Sequence, residues 1–260
     1  MQNEKNCLLQ TCVKEIIKLF SLKWCSIKRC IISGRPENEL PYHVRIYLDF
    51  ENSDEIVHLD LLLSPIIDEN KKFGCIITFR DISDKKKMEK QIHHQANFDA
   101  LTGLMNRYAF EAKFNALMLE VQDDTQHCLC VLDLDKFKNI NDNCGHKAGD
   151  KVLSDVAKVI QACLRKGDTF ARIGGDEFTV IFEDCPVVNA EKIMNLALEK
   201  IANYKFKDDN GTFSLGCSIG ISEINQEISN YQSAFNQADK ACYYAKNNGR
   251  NRVDIYHKDM

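Results

Sequence analysis

The run Arg172-Ile173-Gly174-Gly175-Asp176-Glu177-Phe178 sets two adjacent carboxylates beside two glycines. Short runs rich in aromatic and β-branched residues flank it, Phe170 to Ile173 and Phe178 to Phe182. This pattern predicts a β-hairpin that lifts both acids onto an exposed tip, the glycines supplying the positive φ of a tight turn. Like charges side by side are unfavourable unless a cation lies near. Glycine lets a bulky anion approach the backbone. Such a tip can hold a metal-bound nucleotide phosphate, although the four residues Gly-Gly-Asp-Glu alone also fit an ordinary solvated turn.

A second set of acids narrows the choice. The apolar run Cys128 to Leu132 ends in Asp133-Leu134-Asp135. Acids at the end of a buried strand are costly unless they bind something cationic. In an extended chain Asp133 and Asp135 point to one side and Leu134 to the other. If this strand neighbours the hairpin, Asp133, Asp176 and Glu177 converge. Oxygen ligands of this kind suit Mg²⁺ or Mn²⁺, which keep waters and substrate phosphates as their remaining ligands, and paired ions can drive in-line phosphoryl transfer. Downstream, Asn141 offers a donor and an acceptor, and Asp150 accepts only, a pairing that complements a guanine edge. Lys138, Lys246 and Arg250 can neutralise phosphates.

The elements that must position these groups are read from periodicity. Helices are expected over Arg107 to Val121, Asp150 to Arg165, Ala190 to Tyr204 and Tyr231 to Lys246. Strands are expected over Cys128 to Leu134, Phe213 to Ile221 and Val253 to Tyr256, besides the hairpin. Strands alternating with helices, plus one hairpin, imply an α+β fold with helices covering a mixed sheet.

The first third of the chain reads differently. Cys7 to Phe20 has helical spacing, and Ser33 to Asn38 is a turn-rich break. Val44, Ile46 and Leu48 alternate as in a strand, followed by strand candidates at His58 to Leu63 and Gly74 to Arg80 with a polar turn between them. An antiparallel sheet is expected. Ser64 to Glu69 and Gly74-Cys-Ile-Ile-Thr-Phe-Arg80-Asp81-Ile82-Ser83 resemble the final strands of a PAS sensor domain, over about the second half of such a domain. A small sheet used for dimerisation or docking fits the same residues. Asp84 to Asn97 is charged and helix-favouring, a signalling helix that can pair in a dimer or a solvated linker.

With 260 residues, 44% hydrophobic, the chain can form one large domain or two small ones. Its net charge of −4 excludes a general nucleic-acid binder. The run Leu59 to Ile67 is too short and too interrupted to span a bilayer. Met1 to Lys5 is polar and lacks a signal-peptide apolar region, so a cytoplasmic protein is expected. The twelve cysteines are then expected as reduced thiols. Cys7, Cys12, Cys25 and Cys30 form two pairs whose spacing is unusual for a metal knuckle.

Five spaced motifs together resemble the GGDEF family of diguanylate cyclases: Asp99-Ala-Leu-Thr-Gly-Leu-Met-Asn-Arg107, Asp133 to Asp142, Gly145 to Asp150, Gly174 to Phe178, and Ala245-Lys-Asn-Asn-Gly249-Arg250-Asn251. The resemblance runs from about Asn97 to Tyr256. It implies a nucleotidyl-cyclase-like palm fold, with a PAS-like segment over 1–83, a linker helix over 84–97 and a catalytic domain over 98–258. It implies condensation of two GTP into cyclic di-GMP and two pyrophosphates at the interface of a homodimer. Carried over by that likeness, Asp133, Asp176, Glu177 and the Leu134 carbonyl would hold Mg²⁺ or Mn²⁺, two ions per site. Glu177 would activate the 3′-hydroxyl, as a metal ligand or as the base. Asn141 and Asp150 would read guanine, and Phe137, Lys138, Lys246 and Arg250 would complete the substrate site. Arg165-Lys166-Gly167-Asp168 looks like the family's product-inhibition site. It also fits a helix C-terminus capped by Gly167. The rival function is a non-catalytic protein that binds GTP or cyclic di-GMP.

Overall fold

A computed structural model of the chain describes residues 27–33, 42–50, 56–68, 71–120, 125–208, 211–225, 228 and 230–260. The expected helix at Cys7 to Phe20 and the cysteines Cys7, Cys12 and Cys25 lie outside them; Cys30 lies in the first strand. The chain divides into two compact units between Ile92 and His93.

The first unit contains a four-stranded antiparallel meander in sequence order, β1 (Ile27–Ser33), β2 (Tyr42–Phe50), β3 (Ile56–Asp68) and β4 (Lys71–Asp81). Three of these were expected. β1 was not, because Ile27-Lys-Arg-Cys-Ile-Ile-Ser lacks a clean alternation of apolar and polar residues. Pro65 is tolerated in β3 because β2 covers that strand only as far as Leu63. The sheet runs into α1 (Ser83–Asn97), where the Ser83 hydroxyl accepts from the His58 amide at 2.9 Å. α1 has no buried residue, and Met88 and Ile92 are exposed.

The second unit is built on a five-stranded sheet, order β11-β10-β5-β7-β6. Its strands are β5 (His127–Asp135), β6 (Thr169–Gly174), β7 (Glu177–Phe182), β10 (Gly216–Ile224) and β11 (Arg252–Ile255). Only β10 and β11 are parallel. The pleat of β5 divides its side chains between two layers. Leu129 and Val131 pack with Phe110 and Phe114 of α2 (Arg107–Met118) and Ala234 and Ala238 of α6 (Tyr231–Asn247). Cys128, Cys130, Leu132 and Leu134 pack with Val152, Val156 and Ile160 of α4 (His146–Gln161) and Met194 and Ala197 of α5 (Val187–Asn203). The expected α+β sandwich is found.

One glycine sets the position of α6. A Cβ at Gly220 of β10 would lie 2.0 Å from the Ala238 carbonyl oxygen. Four fully buried alanines, Ala234, Ala238, Ala241 and Ala245, complete the contact face. Small residues on both sides let the helix lie directly on the sheet.

Local boundaries differ most from expectation in three places. A short helix, α3 (Phe137–Cys144), follows β5 and was read only as a motif. α4 starts at His146 and ends at Gln161, four residues earlier at each end than the apolar spacing implied. The single strand expected over Phe213 to Ile221 is interrupted at buried Leu215. Its first part, β9 (Gly211–Ser214), pairs instead with the short, charged β8 (Lys205–Asp208).

Candidate active site

The hairpin forms, but more tightly than expected. β6 runs through Gly174, which pairs with Glu177, so only Gly175 and Asp176 make the turn. Gly174 at φ 155° and Gly175 at φ 49° allow it. Asp176 therefore sits on the turn and Glu177 on the strand. Both are half-buried, which corrects the exposed tip expected from sequence.

β7 pairs with β5 so that Glu177 faces Asp133 across the ladder. The Leu134 amide donates to the Asp176 carbonyl at 3.3 Å. The strand pairing thus brings Asp133, Asp176 and Glu177 to one edge of the sheet. α6 delivers one cation to them: Lys246 Nζ lies 2.7 Å from Asp133 Oδ2. Burial opposes the lysine's charge, but the bond and the attraction of Asp133 more than offset it and raise its pKa. Burial raises the pKa of Asp176, with Asp133 adding to it. Burial raises that of Glu177 too, reinforced by Asp133, Asp239 and Asp176. Two carboxylates that resist ionisation beside a third call for positive charge.

Among the described residues, no three acidic, histidine or cysteine side chains close around one point as a ready metal cage. The edge instead offers hard oxygen donors from two or three carboxylates and a carbonyl. That set fits a Mg²⁺-like ion, which binds through one or two carboxylates and keeps its waters and substrate oxygens.

The turn is held from behind by a pair that sequence reading missed. Arg172 donates through Nε and Nη2 to the Gly175 carbonyl at 3.0 and 2.7 Å. Its Nη1 reaches both Asp99 oxygens at 3.1 Å. Asp99 also accepts from the amide and hydroxyl of Thr102. Burial works against the Asp99 charge, and the Thr102 and Arg172 contacts overcome it, leaving its pKa lowered. The same loop ties back to α1, since Asn106 donates from its amide to the Asn97 carbonyl and from Nδ2 to the Ala96 carbonyl. A signal was available: Asp99 and Arg172 both stand inside quoted motifs, with no role given to either.

The expected guanine-reading residues lie on α3 and α4. Asn141 is half-buried and Asp150 exposed. A Cβ at Gly149 would lie 2.0 Å from Asn141 Oδ1, so the Asn141 amide rests against the residue before Asp150. Lys138 is exposed. The Phe137 ring is buried in the core, beside Gly149. Arg250 is 58% exposed, with Nε 3.9 Å from Asp135 Oδ1.

Arg165 and Asp168 stand apart, past the end of α4. The helix ends at Gln161 with Ala162 as its C-cap, so the helix-end reading of Arg165 and Gly167 is overturned. Arg165 instead clasps Asp168 through its amide at 2.8 Å and Nη2 at 3.0 Å, and Nη2 also donates to the Glu183 carbonyl at 3.1 Å. The Asp168 side chain is fully covered.

Residues 96–252 match the family described as diguanylate cyclase, GGDEF domain. The chain belongs to the GGDEF family. Over 189 residues it is 38% identical to the probable diguanylate cyclase DgcE of Escherichia coli, an alignment covering 72% of this chain and 17% of that protein. Over 195 residues it is 35% identical to the cyclic di-GMP phosphodiesterase PdeB of Shewanella oneidensis, covering 75% of this chain and 22% of that protein. The chain therefore spans less than a quarter of either relative. Among solved structures it resembles the coiled coil and GGDEF domain of DgcB from Caulobacter crescentus in complex with c-di-GMP. The identity is 30% and the TM-score 0.63, over 67% of this chain and 93% of that one. The likeness to GGDEF structures matches the mixed sheet and flanking helices described above.

Proposed function

We propose that the chain is a diguanylate cyclase that condenses two GTP into cyclic di-GMP and two pyrophosphates between two copies of its GGDEF domain. The observation that carries the reading is the register that sets Asp133 opposite Glu177, beside Asp176 and under Lys246. The 3′-oxygen of one GTP attacks the α-phosphorus of the other. A new P–O bond forms, the bond from the α-phosphorus to the bridging oxygen breaks, and pyrophosphate leaves. Glu177 activates the attacking hydroxyl, as a metal ligand or as the base that takes its proton. Lys246 and Arg250 balance phosphate charge, with Lys138 at the edge. Asn141 and Asp150 read guanine, and the Phe137 backbone borders the nucleotide. Divalent ions, Mg²⁺ or Mn²⁺, two per site on Asp133, Asp176, Glu177 and the Leu134 carbonyl, would supply phosphate neutralisation and acidify the hydroxyl.

Each copy holds one GTP, so turnover requires a homodimer. The PAS-like segment over 1–83 and the helix over 84–97 set its geometry, and 98–258 is the catalytic domain. The cytoplasm is the assigned compartment; among the described residues no helix is long and apolar enough to cross a membrane. Product binding at Arg165 and Asp168 limits accumulation.

A second reading, a GGDEF domain that binds nucleotide without turnover, has one observation in its favour: similarity to a protein named as a phosphodiesterase. The deciding experiment incubates the purified chain with GTP and Mg²⁺ over a range of protein concentrations. Cyclic di-GMP rising faster than linearly with protein supports the dimeric cyclase. GTP bound at every concentration with no cyclic product supports the second reading.

A further inference from the structure

Asp135 stands two residues beyond Asp133 and takes no part in the proposed chemistry. Yet it is a carboxylate only 5% exposed. Burying such a charge is costly unless its hydrogen bonds are made elsewhere. The Ser218 hydroxyl donates to its Oδ1 at 2.8 Å, and the Asn251 amide to its Oδ2 at 2.9 Å. Arg250 Nε lies 3.9 Å from Oδ1. β10 leaves room for this contact: a Cβ at Gly216 would come within 3.0 Å of Asp135 Oδ2 and 3.1 Å of Asn251 Oδ1.

The segment that Asp135 grips is the turn after α6. The Arg250 amide donates to the Ala245 carbonyl at 3.0 Å, closing the helix over Gly249 at φ 108°. Arg250 at φ 61° and Asn251 at φ 46° then stay in the left-handed region, which side-chain-bearing residues adopt only when surroundings impose it. The Asp135 carboxylate meets this segment from the sheet. It holds the Asn251 amide on one side and draws the root of the Arg250 guanidinium on the other.

We propose that Asp135 is a positioning residue for the nucleotide. It locks the Gly249–Asn251 turn so that Arg250 is presented to the triphosphate from the same helix end that carries Lys246. The proposal rests on the reading of Arg250 as a phosphate contact.

The test is a double-mutant cycle on the full chain, with Asp135→Asn, Arg250→Ala and the pair together. Binding of a non-hydrolysable GTP analogue with Mg²⁺ is measured alongside amide exchange at Asn251 and the melting midpoint. Asp135→Asn should weaken analogue binding about tenfold in the wild-type background. In the Arg250→Ala background it should weaken binding by less than about twofold. The Asn251 amide should exchange faster. Unchanged affinity with a lowered midpoint, or an equal loss in both backgrounds, overturns the proposal. If Asp135→Asn does not fold, Ser218→Ala, which removes one donor and keeps the charge, replaces it in the cycle and is judged by the same coupling to Arg250. Cyclic product is assayed separately. A chain that binds the analogue and makes no product ends the cyclase reading and leaves this inference to the cycle. A chain that binds no analogue ends both.

Discussion

The two ends of the β6–β7 hairpin handle charge in opposite ways. At the turn, among the described residues, Asp133, Asp176 and Glu177 share one close ammonium, Lys246. At the open end, Arg165 is matched by the covered Asp168 carboxylate and the Glu183 carbonyl, and Lys113 lies 2.7 Å from Glu183. The pKa directions follow: Asp176 and Glu177 are pushed up, whereas Arg165 is pushed up in its charged form, first by its bond to Asp168. Unmatched charge beside a buried sheet edge lowers stability and is useful only when a ligand neutralises it. Matched charge holds a loop. The difference separates a binding site from a clasp along one pair of strands.

The sharpest way to break this contrast is Glu177→Gln. Loss of a positioned base should lower turnover by about a thousandfold. Stability should move the other way. The folded chain binds the Glu177 proton more tightly than the unfolded chain. Between the ordinary glutamate range and the raised value it therefore holds more protons, and stability falls as pH rises through that window. Removing the charge recovers that loss. In metal-free buffer the variant should melt about 2 °C higher at neutral pH and no higher below the window. A neutral-pH midpoint that falls would mean the carboxylate is already well matched.

Much of the turn's chemistry was legible because it is local. Gly174 to Glu177 and Asp133 to Asp135 are each contiguous, and the apolar run Cys128 to Leu132 gives the strand that carries the second set. What was not legible is pairing across distance. Arg172 and Asp99 are 73 residues apart, and Asn251 meets Asp135 over 116. No periodicity encodes such contacts. α3 escaped because it is eight residues long and follows Lys136 at φ 62°, with no side-chain cap to announce it. β8 escaped because its Lys-Phe-Lys-Asp reads as a polar loop.

The next largest effect should come from the brace behind the turn. Arg172→Ala removes bonds to the Gly175 carbonyl and to Asp99, which is left partly buried without its cation. Hydrogen bonds to charged groups of this kind are worth about 2 kcal/mol, so the unfolding free energy should fall by that order in denaturant titration. Asp99→Asn should lose less. Because the Asp99 pKa is lowered in the fold, its contribution is present above the unfolded value and is lost as pH falls through the folded one. The two variants should therefore converge with each other less than Asp99→Asn converges with wild type in acid. A brace that also sets the turn predicts a fall in turnover for Arg172→Ala well below its melting range; full activity there would reduce the pair to a stabilising contact.

The smallest effect is expected at the open end. Arg165→Ala removes the two guanidinium donors to the Asp168 carboxylate and leaves the bond from the residue-165 backbone amide in place. The cost should be a modest drop in melting midpoint, since the Arg165 side chain is half in solvent. For product to bind there, the guanidinium must leave Asp168 and both groups must turn outward. Binding therefore competes with an intramolecular partner already in place, and the site should be weaker than an open arginine would make it. Progress curves test this. Initial rates should match wild type, and the variant should reach a higher plateau of cyclic di-GMP only when product is abundant. Coincident curves at all product concentrations would show that the clasp never opens, and Arg165 would keep only the role of fastening the loop between α4 and β6.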